Sequence, residues 1–242
     1  MTSSLPPVLR LGYVPGATPA KWARIWDERH PDVRLELMPV AAADAADAVR
    51  EGAVDLALVR LPTPTTGLAT ITLYEEQVVA LVPREHHTAA ADELTTQDLE
   101  DEPTIAPLDD ALYWAEAPGT PIEHRPENTE AAVELVAAGL GVLLVPQSLA
   151  RLHHRRDLTF RPITDAPPSP VALAVPAGEQ SDRVADFIGI VRGRKAGSSR
   201  GNSEPAPKRT AREKTLAKQA ARAAAGKKPG PAKGKSAKRT RR

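Results

Sequence analysis

Four polar residues of this sequence stand where a protein could bind an anion. Thr18 precedes one stretch with helical spacing, and Asn128 and Thr129 precede another. The first N–H groups of a helix have no partner within the helix, so a carboxylate or phosphate can bind there. Arg60 ends an apolar strand, and its guanidinium could hold a carboxylate through two parallel hydrogen bonds. The plainer alternatives are that Thr18, Asn128 and Thr129 only cap helices and that Arg60 pairs with an acidic residue of the protein.

The remaining reactive side chains favour no enzymatic chemistry. The pairs His86-His87 and His153-His154 have no metal-ligand spacing with nearby carboxylates, and we interpret them as solvated loop residues. The chain has no cysteine, no Gly-x-Ser-x-Gly motif and no glycine-rich phosphate loop with a lysine. Trp22 and Trp26 share one helical face and are interpreted as core residues. We therefore predict that the chain is not an enzyme and carries neither a cofactor nor a metal site.

Successive strand–helix units must position these candidates. In the first part of the chain we expect strands at 9–14, 33–37 and 54–59 and helices at 19–30 and 43–52. Such units form a parallel sheet, and ligands of these sheets bind beyond the carboxyl ends of the strands. Further along, a helix is expected at 130–138, an apolar strand at 141–145 and a closing helix at 183–191.

Several motifs, in their order and spacing over roughly residues 8–192, resemble the effector-binding (substrate-binding) domain of LysR-type transcriptional regulators. They are Leu-Arg-Leu-Gly-Tyr-Val at 9–14, Arg-His-Pro-Asp-Val-Arg-Leu-Glu-Leu at 29–37, Arg-Glu-Gly-Ala-Val-Asp-Leu-Ala-Leu-Val-Arg at 50–60, Leu-Tyr-Glu-Glu at 73–76, and Leu-Val-Ala-Ala-Gly-Leu-Gly-Val-Leu-Leu-Val-Pro at 135–146. The resemblance implies an α/β fold with two lobes of the periplasmic-binding-protein-like type (type 2). The predicted lobes are 8–83 with 161–192, and 84–160.

The resemblance also implies a small effector held between the lobes, with Thr18 and Arg60 on one wall and Asn128 and Thr129 on the other. It favours the ligand-binding interpretation of Arg60 over an ion pair. We expect an effector that bears a carboxylate, because two helix N-termini and an arginine would meet in the crevice. Relatives commonly have Ser or Thr after the second strand, where this chain has Ala41-Ala42-Ala43 and then Asp44. That departure argues for an effector that is less anionic, or for a degraded site.

The charge of the chain is divided between a globular part and a tail. Residues 1–191 contain 14 Lys and Arg against 29 Asp and Glu, whereas residues 192–242 contain 18 against 2. The tail at 193–242 has almost no large apolar residue, so we predict that it is disordered and binds DNA without sequence preference. The residues expected to contact DNA are Lys208, Arg209, Arg212, Lys214, Lys218, Arg222, Lys227, Lys228, Lys233, Lys235, Lys238 and Arg239.

One element of LysR-type regulators is not expected in this sequence. These regulators begin with a winged helix-turn-helix, whereas only eight residues precede the first expected strand here. Nucleic acid is therefore expected to be bound through the tail. The alternative is a protein that binds a small molecule or a partner without any role in DNA binding. Partners considered are a second copy of the chain or a full-length LysR-type regulator. Without a signal sequence or an apolar stretch of membrane-spanning length, the chain is expected to be cytoplasmic and to have no membrane partner.

Overall fold

The computed structural model describes residues 7–194. Within that range ten strands form a five-stranded sheet, a three-stranded sheet and a short two-stranded pair, and five α-helices pack on them. Residues 195–242 of the predicted tail, with its twelve DNA-contacting residues, lie outside the described residues. None of the helices between residues 7 and 194 is long and apolar enough to cross a membrane.

A five-stranded sheet is built from the first four strands of the described chain and its last strand. Its strands are β1 (Val8–Tyr13), β2 (Arg34–Pro39), β3 (Leu56–Arg60), β4 (Leu68–Glu76) and β10 (Ser169–Pro176). They lie in the order β2-β1-β3-β10-β4, with β1 parallel to β2 and β3 and with β10 antiparallel to β3 and β4. The parallel strand–helix units expected for the first part of the chain are therefore present.

Helices α1 (Ala20–Arg29), α2 (Ala45–Arg50) and α5 (Asp182–Val191) pack against this sheet. Trp26 and Phe187 are fully buried, and their ring centroids are 5.8 Å apart. The indole N–H of Trp26 donates to the carbonyl of Val33 at 2.9 Å, so its polar atom is satisfied inside the core. Trp26 is thus a core residue, as predicted, and Trp22 packs at the edge of the same cluster.

A second sheet has three strands, all antiparallel, in the order β8-β5-β9. These are β5 (Val78–Pro83), β8 (Leu143–Pro146) and β9 (Leu158–Pro162). The strands β6 (Pro103–Thr104) and β7 (Thr120–Pro121) form a separate short pair. The α-helices of this part of the chain are α3 (Thr129–Ala137) and α4 (Gln147–Leu152). Because β5 and β9 pair in this sheet, we propose to move the lobe boundaries from 83 and 161 to about 77 and 166. The chain then passes between the lobes at Gln77 and again between β9 and β10.

Two short 3-10 helices, His87–Ala90 and Gln97–Leu99, lie between β5 and β6. Beside the second one, the backbone N–H and hydroxyl of Thr95 donate to Asp98, and those of Thr96 donate to Asp165. The backbone hydrogen bond, with the hydroxyl second, lowers the pKa of Asp98. At Asp165 the pKa is lowered first by the hydroxyl bond and then by the backbone bond.

The beginning of α1 differs from the prediction. The helix starts at Ala20, and its N-cap is Pro19, which has no side chain able to accept a hydrogen bond. Thr18 is exposed and lies one residue too early for its hydroxyl to reach the first helical N–H groups. The prediction that Thr18 caps this helix was wrong.

Candidate functional site

Loops and helix ends of both lobes line an open cavity of about 290 Å³ at the carboxyl ends of the three parallel strands. Pro15 follows β1, Ala41 to Ala43 follow β2, and Arg60 ends β3, as expected for a ligand site of a parallel sheet. The second lobe contributes the loop between β6 and β7, the start of α3 and the end of α4. The apolar lining residues are Pro15, Ala41, Ala42, Ala43, Ala111, Leu149 and Leu152, and the polar ones are Arg60, Asp109, Asn128, Thr129, Glu130 and His153.

Arg60 is held by a buried ion pair. Its Nη1 lies 3.3 Å from Oε2 of Glu76, and the two side chains are only 2% and 10% exposed. The remaining contacts of the guanidinium are to the hydroxyl of Ser169 at 3.4 Å, to the hydroxyl of Ser148 at 2.9 Å and to the carbonyl of Pro15 at 3.2 Å. We call these residues, Arg60, Glu76, Ser148 and Ser169, the Arg60 cluster. A buried guanidinium with these acceptors is a fixed positive group at the floor of the cavity.

The Arg60 cluster joins the two lobes. Arg60 belongs to the five-stranded sheet, while Ser148 belongs to α4, which packs on the three-stranded sheet. The hydroxyl of Ser148 donates to Glu76 at 2.6 Å and accepts from Arg60, so one side chain bridges both charges. Gly16 makes this approach possible. It has a φ of +81°, and a Cβ there would lie 2.9 Å from Nη2 of Arg60 and closer still to the hydroxyl of Ser148.

Tyr74 lies in β4, two residues before Glu76. Burial raises the pKa of its phenol, Glu76 raises it further, and Arg60 opposes the shift. The phenol therefore stays neutral over the physiological range and does not add a negative charge near the ion pair.

The start of α3 forms the opposite wall. Asn128 is the N-cap, and its side-chain oxygen accepts a hydrogen bond from the backbone N–H of Ala131 at 2.9 Å. Thr129 is buried, and its hydroxyl donates to Asp109 at 3.0 Å. The capping interpretation of Asn128 is therefore correct, and the residue also lines the cavity.

The structure brings together three of the four residues predicted to bind the effector. Arg60, Asn128 and Thr129 line the cavity, whereas Thr18 is not among its lining residues. Arg60 has a carboxylate partner within the protein, which the alternative interpretation had anticipated, although the pair is buried and not on the surface. Ala41, Ala42 and Ala43 line the cavity wall, so small apolar side chains lie where the family resemblance led us to expect the hydroxyl groups of Ser or Thr.

Sequence reasoning missed the contributions of the second lobe. Asp109 and Ala111 lie in a stretch that has no regular periodicity, and Leu149 and Leu152 are apolar residues of a short helix that suggested only packing. His153 lies in the turn after α4, is half-buried and lines the cavity, a position that its interpretation as a solvated loop residue did not anticipate. The signal that could have indicated it is its position directly after α4, a helix that follows the strand β8.

The interpretation of His86-His87 also needs correction. Both imidazoles contact one carboxylate, that of Glu102, which is 15 residues further along the chain and was not considered from the sequence. His86 is half-buried, and only His87 is well exposed.

A family model for the LysR substrate binding domain matches residues 4–196. The chain is 28% identical over 202 residues to the Hca operon transcriptional activator HcaR of Escherichia coli (strain K12), covering 78% of this chain and 68% of that protein. It is 31% identical over 161 residues to a probable hydrogen peroxide-inducible genes activator of Mycobacterium avium, covering 62% of this chain and 52% of that protein. Among solved structures, the BenM effector binding domain with its effector benzoate matches with a TM-score of 0.67 and 21% identity, covering 83% of this chain and 100% of that one.

The structural likeness confirms the predicted fold class, an α/β fold of the periplasmic-binding-protein-like type 2. The chain spans 68% and 52% of the lengths of the two curated relatives. Both relatives are named as activators of transcription or of genes and not as enzymes, in agreement with the prediction that this chain is not an enzyme. With a family model matching most of its length, the chain belongs to the family of effector-binding (substrate-binding) domains of LysR-type transcriptional regulators.

Proposed function

We propose that this protein senses one small effector in the cavity between its lobes and regulates transcription in the cytoplasm. The observation that carries the proposal is the cavity itself, whose volume of about 290 Å³ suits a small metabolite and whose walls come from both lobes. A ligand that contacts both walls favours one arrangement of the lobes over others, because it binds that arrangement more tightly. A change in lobe arrangement is a signal that the rest of a regulator can transmit.

The effector should be a compact, largely apolar molecule with a single carboxylate. Three alanines on one wall and Leu149 and Leu152 on the other offer mainly apolar contact. The carboxylate is expected at the first turn of α3, near Asn128 and Thr129, because the first N–H groups of a helix have no partner within the helix. Benzoate, the effector named for the BenM structure, has this chemistry and is a suitable first probe.

The charges of the lining support one carboxylate and argue against a more anionic effector. Arg60 is already paired with Glu76, so it supplies only part of a positive charge to the cavity. Asp109 and Glu130 line the same cavity and would repel a second anionic group. Binding of a carboxylate to Arg60 would also have to compete with Glu76, and this competition gives the effector a way to loosen the Arg60 cluster between the lobes.

The basic tail is the proposed contact to DNA. Its support is compositional, since residues 192–242 hold an excess of 16 positive charges whereas residues 1–191 hold an excess of 15 negative charges. An acidic body repels DNA, so binding by the protein would depend on the tail alone. The alternative function, a small-molecule or partner-binding protein without a role in DNA binding, predicts that the tail is dispensable for any DNA contact.

Thermal melting with a panel of small carboxylates, beginning with benzoate, tests the effector site. A ligand that binds the folded state raises the melting temperature by mass action. We expect at least one carboxylate to raise it and its primary amide, which has the same shape without the charge, to raise it much less. An amide that stabilises the protein as strongly as the acid would contradict the carboxylate assignment.

A blocked cavity provides the matched control. Ala43 is exposed and lines the cavity, so Ala43→Trp should fill part of it while leaving the core intact. Ala138, at the other end of α3, is equally exposed and does not line the cavity, so Ala138→Trp should leave ligand stabilisation unchanged. Equal ligand stabilisation of both variants would place the effector elsewhere.

A further inference from the structure

A second group of side chains, none of which lines the effector cavity, has the composition of a metal site. Nε2 of His86 lies 3.3 Å from one oxygen of Glu102, and Nε2 of His87 lies 3.1 Å from the other. One ligand atom from each of the three residues lies within 4.8 Å of the other two. We call these residues the His86 cluster; none of them lines the cavity between the lobes.

Backbone hydrogen bonds hold the cluster in place. The N–H of His86 donates to the carbonyl of Pro83 at the end of β5, and the N–H of Glu102 donates to the carbonyl of Leu99. The carbonyl of Glu102 accepts from Thr120, and Gly119 packs so closely against this backbone that a Cβ would lie 2.7 Å from the carbonyl oxygen of Glu102. The ligands therefore come from two separate segments whose backbones are fixed independently of the side-chain contacts.

We propose that the His86 cluster binds a divalent transition-metal ion of the zinc type. A tetrahedral ion with ligand bonds of about 2.0–2.1 Å has neighbouring donor atoms about 3.3 Å apart. The nitrogen–oxygen separations of 3.3 and 3.1 Å, each to a different oxygen of Glu102, are close to that spacing, and one ligand atom from each residue already lies within 4.8 Å of the other two. Two imidazoles and one carboxylate suit Zn²⁺ and leave one coordination position for water.

Thr88 gives His86 the partner that a metal-bound histidine needs. Nδ1 of His86 lies 2.8 Å from the hydroxyl of Thr88, which is buried. Nδ1 of His86 also accepts a long hydrogen bond of 3.4 Å from the backbone N–H of Thr88. An ion bound at Nε2 requires the ring proton at Nδ1, where the hydroxyl oxygen of Thr88 at 2.8 Å can accept it, and this gives up the long bond from the Thr88 backbone N–H.

The alternative is that the cluster is only a pair of histidine–carboxylate contacts. Such contacts would hold the segments together without an ion, and metal would bind weakly or elsewhere. The chain has six histidines and no cysteine, so the possible imidazole sites are few. His154 is exposed and adjacent to another histidine, which makes His154→Ala a matched control for a second histidine pair.

Competition of the full-length, metal-free protein with a chromophoric chelator for Zn²⁺ tests the proposal. We expect one ion per chain. His87→Ala and Glu102→Gln each remove a metal ligand, so their loss of Zn²⁺ affinity should exceed the roughly 10–100-fold cost of removing a residue that only hydrogen-bonds a ligand. Thr88→Val should weaken binding by about 10–100-fold, and His154→Ala should leave it unchanged. The His87 side chain is 72% exposed, so its removal should not unfold the protein.

Melting curves supply the second readout. Zn²⁺ should raise the melting temperature of the wild type and of His154→Ala, but not that of His87→Ala, whose metal-free melting temperature should equal that of the wild type. Equal Zn²⁺ affinity in the wild type, His87→Ala and Glu102→Gln would overturn the proposal, as would loss of binding in His154→Ala alone. Failure of effector binding would not affect these outcomes, because the cavity and the His86 cluster share no residue.

Discussion

Truncation of Arg60 should destabilise the protein strongly, whether or not an effector is present. The side chains of Arg60 and Glu76 are 2% and 10% exposed and lie 3.3 Å apart, so removing the cation leaves a buried carboxylate without its partner. Breaking a buried pair on one side costs about 3–5 kcal/mol. In a unit of nearly 190 described residues, each kcal/mol lowers the melting temperature by about 2–4 °C, so Arg60→Met should lower it by roughly 6–20 °C.

A double-mutant cycle separates this effect from lost packing. Glu76→Met should also destabilise, whereas Arg60→Met with Glu76→Met should recover much of the loss, because hydrophobic replacement of a whole buried pair is often close to neutral. Arg10→Met is the control, since Arg10 pairs with Asp55 at 2.9 Å but the two side chains are 37% and 30% exposed. That pair should contribute about 1 kcal/mol or less.

Urea unfolding of the four proteins of the cycle and the control gives the free energies. If Arg60→Met costs no more than Arg10→Met, or if the double variant is as unstable as the sum of the single ones, the Arg60 cluster is not a buried, coupled pair. The folded double variant then serves a second purpose. If Arg60 also binds the effector carboxylate, that variant should lose about 2–5 kcal/mol of affinity.

Three further predictions concern the backbone, the acid limit of stability and the tail. In urea unfolding, Gly16→Ala should destabilise the protein by about 1–3 kcal/mol more than Gly67→Ala. Both glycines have a positive φ, but only Gly16 has side chains within 4 Å of the added Cβ. Equal losses would contradict the close contact of Gly16 with these side chains. The pKa values of Asp98 and Asp165 are lowered by threonine hydrogen bonds, so their stabilisation exists above the ordinary Asp pKa of 3.8 and is lost as the pH falls below it. The melting temperature of Asp98→Asn with Asp165→Asn should therefore fall less steeply than that of the wild type below pH 4, and parallel curves would refute the assignment. Deletion of 193–242 should abolish binding to duplex DNA, and the intact protein should show a slope of roughly −7 in log affinity against log salt if about half the excess charges reach phosphates; binding that survives deletion would require another DNA-binding element.

Much of the architecture follows from local patterns. The strand–helix units from β1 to β3 could be predicted because apolar periodicity and turn residues coincide there. Asn128 was correctly expected to cap α3, since the cap and its partner Ala131 are three residues apart. Arg60 was correctly placed at the end of a buried strand. These features depend on neighbours in sequence, which a sequence pattern records.

The features that could not be predicted depend on distant parts of the chain. Ser148, which contacts Arg60, is 88 residues away from it, and no local pattern links the two. Glu102 similarly reaches His86-His87 only because the two segments fold beside the same sheet. The prediction that Thr18 caps α1 was wrong for a local reason, because Pro19 and not Thr18 occupies the N-cap position.

A crystal structure of the protein with the carboxylate that most raises its melting temperature is the most direct test of the proposed function. We predict ligand density between the wall formed by Ala41 to Ala43 and the first turn of α3, with the carboxylate near Asn128 and Thr129 and within reach of Arg60. Density in another part of the molecule, such as the smaller cavity beside Trp114, would contradict the assignment of the effector site.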